Sequence, residues 1–280
     1  MLTMILINGY VTSVTPNNFL HIINMSAEYL GLTEYPTIYN VLIQQPDYMY
    51  YVHNPNLLPC DEGDRSRLFR SINICPLNNV RTVFIGMNPY PRRESATGLS
   101  FQDGMTRYWD KSISLSFSMI IKSLFNAYGV LNRNCSMDEL IYIAQRLHFE
   151  LPYNWFERLS TEHGVLWLNT SLTFESSTDQ SIIRKHARFW KPVIFEILRL
   201  IALQNESVIF VLMGNDAKEL EPTIQDAYAV ANTKHKFKVV SSRHPASRGG
   251  EFLMDGLFKK IYIEEMNLNI PHTTYMMKMK

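Results

Sequence analysis

Residues 83–101 read VFIGMNPYPRRESATGLSF, and no other stretch limits the fold as tightly. The β-branched and aromatic run Thr82-Val83-Phe84-Ile85 stops at Gly86 and turns into Asn88-Pro89-Tyr90-Pro91, so a buried strand delivers a rigid polar loop to a sheet edge. α/β proteins place their chemistry at such edges. Pro89 and Pro91 bracket Tyr90 and restrict its backbone, which suits a ring that stands as a wall. Gly98-Leu99-Ser100-Phe101 then brings a second aromatic back toward the same place.

From Val80 onward strand and helix patterns alternate, the sign of an α/β fold with a central four-stranded parallel sheet between two helical layers. The four apolar runs are 82–86, 164–169, 207–213 and 236–241. Between and after them, Ile113, Phe117, Ile120, Ile121 and Leu124 predict a helix over 112–128, and Ser136 with Glu139 forms a capping box that opens a helix to 147. Pro192 fits the first turn of a helix ending near 203; further helices are expected over 217–229 and 250–266. Residues 1–75, rich in Tyr, Asn and Pro, predict an N-terminal extension of short helices and loops packed on a main domain of 76–280.

A chain of 280 residues with 46% hydrophobic content is long enough to bury a large core. No run of about 18 apolar residues occurs, and the start MLTMILING lacks a basic flank and a cleavage site, so neither a membrane span nor a signal peptide is expected. An intracellular protein that is not secreted and has no membrane partner is the resulting expectation. Cys60, Cys75 and Cys135 are widely spaced without a Cys-x-x-Cys, which gives no metal framework. Residues 1–60 contain no Lys or Arg, whereas residues 234–260 hold seven basic against two acidic residues. If a polyanion binds, it binds toward the C-terminal third, the alternative being an ordinary solvated charged surface; residues 1–75, free of basic residues up to position 60, are a candidate docking surface for a protein partner.

The four strands end in GMNPY, LNTS, MGND and SSRHPAS. In a parallel sheet these ends share one edge, so Asn88, Tyr90, Asn169, Asn215 and His244 would converge. Such a pocket holds amides, an imidazole and aromatic rings, with no carboxylate pair, phosphate-cradling glycine loop or Ser-His-Asp set. An amide that can both donate and accept, beside rings that can stack, is the chemistry of a base-reading pocket.

These segments, in this order, resemble the uracil-DNA glycosylases of the family 1 kind over roughly residues 80–265. The family's Gly-Gln-Asp-Pro-Tyr-His motif reads Gly86-Met87-Asn88-Pro89-Tyr90-Pro91 here, and its Gly-Leu-x-Phe element is Gly98-Leu99-Ser100-Phe101. Gly-Val-Leu-Leu-Leu-Asn reads Gly164-Val165-Leu166-Trp167-Leu168-Asn169, and His-Pro-Ser-Pro-Leu reads His244-Pro245-Ala246-Ser247-Arg248. That last form, like Pro91, is closer to the poxvirus-like branch. The first 75 residues lie outside the resemblance.

The resemblance implies a monofunctional, cofactor-free enzyme of base excision repair that acts on uracil-containing DNA. It implies that Asn169 pairs with uracil N3–H and O4, that Phe101 stacks on the flipped base, and that Tyr90 blocks the thymine methyl; Met87 joins them at the pocket. His244 would donate to uracil O2 as the N-glycosidic bond breaks. Ser116, Asn215, Ser247 and Arg248 would hold the DNA backbone, with Arg248 where many members carry an intercalating Leu.

Asn88 stands where the family has an Asp that orients the attacking water and stabilises the sugar cation, and Met87 replaces a polar Gln. Losing a unit charge about 4 Å from the cation costs about 4 kcal/mol at an effective dielectric of ~20, roughly a thousandfold in rate. Related mismatch-specific glycosylases carry Gly-x-Asn-Pro at this position. Asn88 and His244 are therefore expected as the catalytic pair of a slow glycosylase, the alternative being an inactive homologue that binds DNA as a replication accessory.

Overall fold

The computed structural model of the chain describes residues 3–7, 10–14, 27–60, 65–175, 177 and 179–276. Within residues 1–75, β1 (Thr3–Ile7) and β2 (Tyr10–Val14) pair as an antiparallel hairpin, where the sequence suggested short helices and loops. Both runs are rich in β-branched residues and are separated by Asn8-Gly9, a hairpin signal in the sequence. Short helices follow: α1 (Pro36–Ile43), α2 (Tyr48–His53) and α3 (Arg70–Ile74). Thereafter the order is β3 (Thr82–Gly86), α4 (Leu115–Ala127), α5 (Met137–Arg146), α6 (Pro152–His163), β4 (Val165–Asn169) and α7 (Gln180–Gln204). The chain continues through β5 (Ser207–Met213), α8 (Asn215–Lys218), α9 (Glu221–Ala231), β6 (Lys236–Ser242) and α10 (Leu257–Asn267).

β3 to β6 form one sheet, parallel throughout, in the order β4-β3-β5-β6. Side chains alternate along each strand, and the two sets feed two separate cores. Val83, Ile85, Leu166, Leu168, Phe210 and Leu212 pack with Trp190, Ile194, Ile197 and Ile201 of α7, Ile224 of α9, and Leu30, Ile38, Leu42, Phe69 and Ile72. Phe84, Trp167, Ile209, Val211 and Val240 pack on the opposite face with Phe117, Ile120 and Leu124 of α4, Trp155 of α6 and Phe258 of α10. This is the expected three-layer α/β/α arrangement, and residues 27–75 share the first of its two cores.

Several helix boundaries differ from the sequence reading. Pro192 lies inside α7 rather than at its start: the helix opens at Asp179, whose carboxylate accepts from the Ser181 backbone N–H at 2.7 Å. His186, Phe189, Trp190, Val193, Ile194 and Ile197 form a buried seam on both sides of the proline, and that burial outweighs the roughly 3 kcal/mol an interior proline costs. The expected helix over 217–229 is split into α8 and α9, with Pro222 in the first turn of the latter. The expected helix over 250–266 begins only at Leu257, after a 3-10 turn at Arg248–Met254 in which Gly249 and Gly250 take positive φ. α6, with Pro152 opening it, is a helix that the sequence reading did not identify. The capping box of α5 forms as expected: Glu139 N–H donates to Ser136 Oγ and Ser136 N–H to the Glu139 carboxylate.

Candidate active site

Because the sheet is parallel, Gly86, Asn169, Met213 and Ser242 end their strands on one edge, with Gly86 paired to Asn169 and Met213 to Ser242. Gly86 is the closest point of approach. A Cβ there would stand 2.7 Å from Asn169 Oδ1, 3.0 Å from Ser100 Cβ and 3.3 Å from Phe101 Cζ. One bare Cα thus brings the Asn169 amide and the Phe101 ring against each other. Asn169 is only 5% exposed, yet among the described residues its side-chain amide makes no hydrogen bond.

Phe101 is held in an unusual backbone state, with φ of +64° in a bulky residue. The preceding Ser100 anchors it: its N–H donates to the Trp167 carbonyl and its hydroxyl to the Phe84 carbonyl, both 3.2 Å. The strain aims the ring at the strand ends. Half-buried Tyr90 closes one side, its hydroxyl 3.4 Å from the Phe101 carbonyl and 3.3 Å from Ser114 Oγ. Burial pushes this phenol up to about 12, while hydrogen bonding to Ser114 and Ser116 works the other way, so the ring stays neutral near pH 7. Ser114 also caps α4, accepting from the Phe117 N–H; a serine ahead of an apolar run at helical spacing is the signal that could have singled it out.

His244 completes the group, its ring centroid 6.2 Å from that of Phe101. Its Nδ1 accepts the Ala246 backbone N–H at 3.1 Å, so the neutral ring carries its proton on Nε2. Burial holds the imidazole below its ordinary pKa, with Asp216 acting in the opposite sense. Tyr90, Phe101, Asn169 and His244 are therefore gathered at one edge of the sheet, where among the described residues the Asn169 amide and the His244 Nε2–H make no hydrogen bond.

Met87 and Asn88 lie on another side. The Met87 carbonyl accepts from Thr170 Oγ1 at 2.7 Å and from the Ser171 N–H at 3.0 Å, which pins the loop to the end of β4. The Asn88 amide donates to the Pro89 carbonyl at 3.0 Å, leaving Oδ1 as its acceptor. Both residues line a cavity of about 290 Å³ shared with Thr170, Arg184, Lys191 and Asp216. Asp216, next to the expected Asn215, was not singled out from the sequence.

The four expected backbone-binding residues are not equivalent. Asn215 and Arg248 are exposed near the strand ends, and Ser116, 9% exposed, sits beside the Tyr90 phenol. The Ser247 hydroxyl, however, is sealed from solvent without a partner among the described residues, and its N–H donates to the His244 carbonyl. Ser247 thus braces the His244 turn. Arg243, counted in the basic surplus of 234–260, is ion-paired to Asp255 at 2.7 Å and Glu251 at 3.1 Å. No group of three or more His, Cys, Asp or Glu suited to a metal occurs among the described residues, and none of the helices there is long and apolar enough to cross a membrane.

The site thus sits at the carboxyl edge of a parallel α/β sheet and consists of an amide, an imidazole and two aromatic rings. The model of the Uracil DNA glycosylase superfamily matches residues 72–265, and the chain belongs to that family. It is 30% identical over 200 residues to a uracil-DNA glycosylase of Pseudomonas paraeruginosa, covering 69% of this chain and 70% of that protein. With a uracil-DNA glycosylase of Helicobacter hepaticus it shares 26% over 207 residues, 71% and 74% of the two chains. A UNG crystal structure from Nitratifractor salsuginis has the same fold, with a TM-score of 0.68 at 22% identity over 93% of this chain and 99% of that one.

Proposed function

We propose that this protein binds uracil-containing DNA, takes an extruded deoxyuridine into a slot at this sheet edge, and hydrolyses its N-glycosidic bond to leave an abasic site. The observation that carries the reading is the unspent Asn169 amide, buried against Phe101 and facing no protein partner among the described residues. A buried amide left unpaired costs about 1–3 kcal/mol, and uracil satisfies both of its ends: Oδ1 accepts N3–H and Nδ2 donates to O4. Cytosine presents the reversed pattern and leaves both unpaired.

In this scheme the base stacks on Phe101 with C5 toward Tyr90, whose ring excludes the thymine methyl. As the C1′–N1 bond breaks, its electron pair leaves with uracil, and negative charge builds on O2. His244, with its hydrogen on Nε2, donates there without first giving up a charge of its own. Water held on Asn88 Oδ1 then adds to C1′. An amide carries no charge toward the sugar cation, which makes the reaction slow rather than absent. Asn215 and Arg248 meet the DNA backbone, and Arg248 stacks in the vacated base position.

Incubation of excess protein with a single-uracil oligonucleotide, followed by alkali, tests the reading. Slow accumulation of alkali-labile sites at the uracil, without strand cleavage before alkali, is the expected result. Binding with no product would instead favour a non-catalytic DNA-binding accessory.

A further inference from the structure

Asn88 leaves the water side of the slot without a negative charge, yet this chain has an acid of its own close by. β5 ends at Met213, and Gly214, with φ of +97°, turns the backbone tightly against His244, where a Cβ would stand 3.1 Å from His244 Cβ. Two residues later, exposed Asp216 lines the 290 Å³ cavity that Met87 and Asn88 also line. Its charge reaches the imidazole, acting on His244 in the sense that favours protonation. Arg184, Lys191 and Glu219 border the same cavity; among the described residues Asp216 forms no ion pair with either cation, and of the two acids it is Asp216 whose charge acts on His244.

We infer that Asp216 is the anionic group serving the water side of this site, acting across the cavity through the water that Asn88 holds. The inference rests on the hydrolytic reading above. As the C1′–N1 bond breaks, its electron pair goes to uracil and positive charge is left on the sugar. Water on Asn88 Oδ1 forms the C1′–O bond, and the proton it sheds crosses the cavity to the Asp216 carboxylate, which returns it to solvent. Asp216 is farther from the sugar and more exposed than a carboxylate at position 88 would be, so it restores only part of the lost stabilisation.

Single-turnover cleavage of a single-uracil oligonucleotide, with protein in excess, is measured for the wild type, Asp216→Asn, Asp216→Glu, Asn88→Asp and the Asn88→Asp/Asp216→Asn pair. Removing the charge is expected to slow the wild type about tenfold but the Asn88→Asp protein less than about threefold, because a carboxylate at 88 makes the distant one redundant. Asp216→Glu is expected to keep most of the rate, and affinity for the abasic product duplex should not fall in any variant. A rate for Asp216→Asn within about twofold of wild type, or an equal loss in both backgrounds, overturns the inference. Cleavage absent from the wild type at protein excess sinks the hydrolytic reading and this inference together, whereas cleavage insensitive to Asp216 removes only the latter.

Discussion

The two sides of the slot are built to different standards. On the side proposed to hold the base, three groups are fixed by named contacts: Phe101 by its left-handed backbone and Ser100, Tyr90 by Ser114 and the Phe101 carbonyl, His244 by the Ala246 N–H. On the side proposed to hold the water, Met87 and Asn88 face a cavity of about 290 Å³, and the Asn88 amide bonds to the carbonyl of its own neighbour. In the proposed reaction, holding the base depends on shape and on neutral hydrogen bonds, whereas cleaving it depends on charge opposite the sugar. A chain can therefore keep the first in full while carrying the second in reduced form.

The comparison can be sharpened or broken by substitution on either side. Asn88→Asp should speed single-turnover cleavage by up to about a thousandfold, with affinity for uracil DNA little changed. An unaltered rate would mean that the water side does not limit the reaction. His244→Leu removes the donor to O2 and should cost about a hundredfold or more in the same assay. Gly86→Ala touches only the base-holding side: its Cβ would fall 2.7 Å from Asn169 Oδ1. Displacing that one hydrogen bond should slow cleavage about tenfold, with circular dichroism unchanged; a full rate would show that Asn169 does not read the base.

The smallest effect concerns pH. Burial lowers the His244 pKa in the folded protein, so below about pH 6.5 the unfolded chain takes up more protons than the folded one. The contribution of the neutral ring to stability is thus complete above that pH and is lost as pH falls through the folded value. Cleavage should follow the same limb, because imidazolium cannot keep Nδ1 as the acceptor from Ala246. An NMR titration of the His244 ring protons that gives a value above 6.5 would contradict this environment.

Local sequence was enough for the sheet and for most of the side chains gathered at its carboxyl edge. Strands β3 and β5 fall where their β-branched and aromatic runs begin and end, because a fully buried strand needs a continuous apolar stretch and a turn residue stops it. The parallel order then puts Asn88, Tyr90, Asn169, Asn215 and His244 at one edge without further information. The interior position of Pro192 was not legible, since the buried seam that outweighs the proline is completed by residues from distant segments. Nor was the role of Ser247, expected to hold the DNA backbone, whose hydroxyl is sealed and whose N–H donates to the His244 carbonyl in the fold.

What the amino-acid sequence by itself determined is the set of groups: which side chains end the strands, and that the one at position 88 is an amide. Those are consequences of periodicity and covalent identity. Only the tertiary structure decided which nitrogen of His244 carries the proton, that the Phe101 backbone is turned left-handed, and that Asp216 shares a cavity with Asn88. The first follows from a turn that brings the Ala246 N–H back onto His244, and the other two depend on packing against segments farther along the chain.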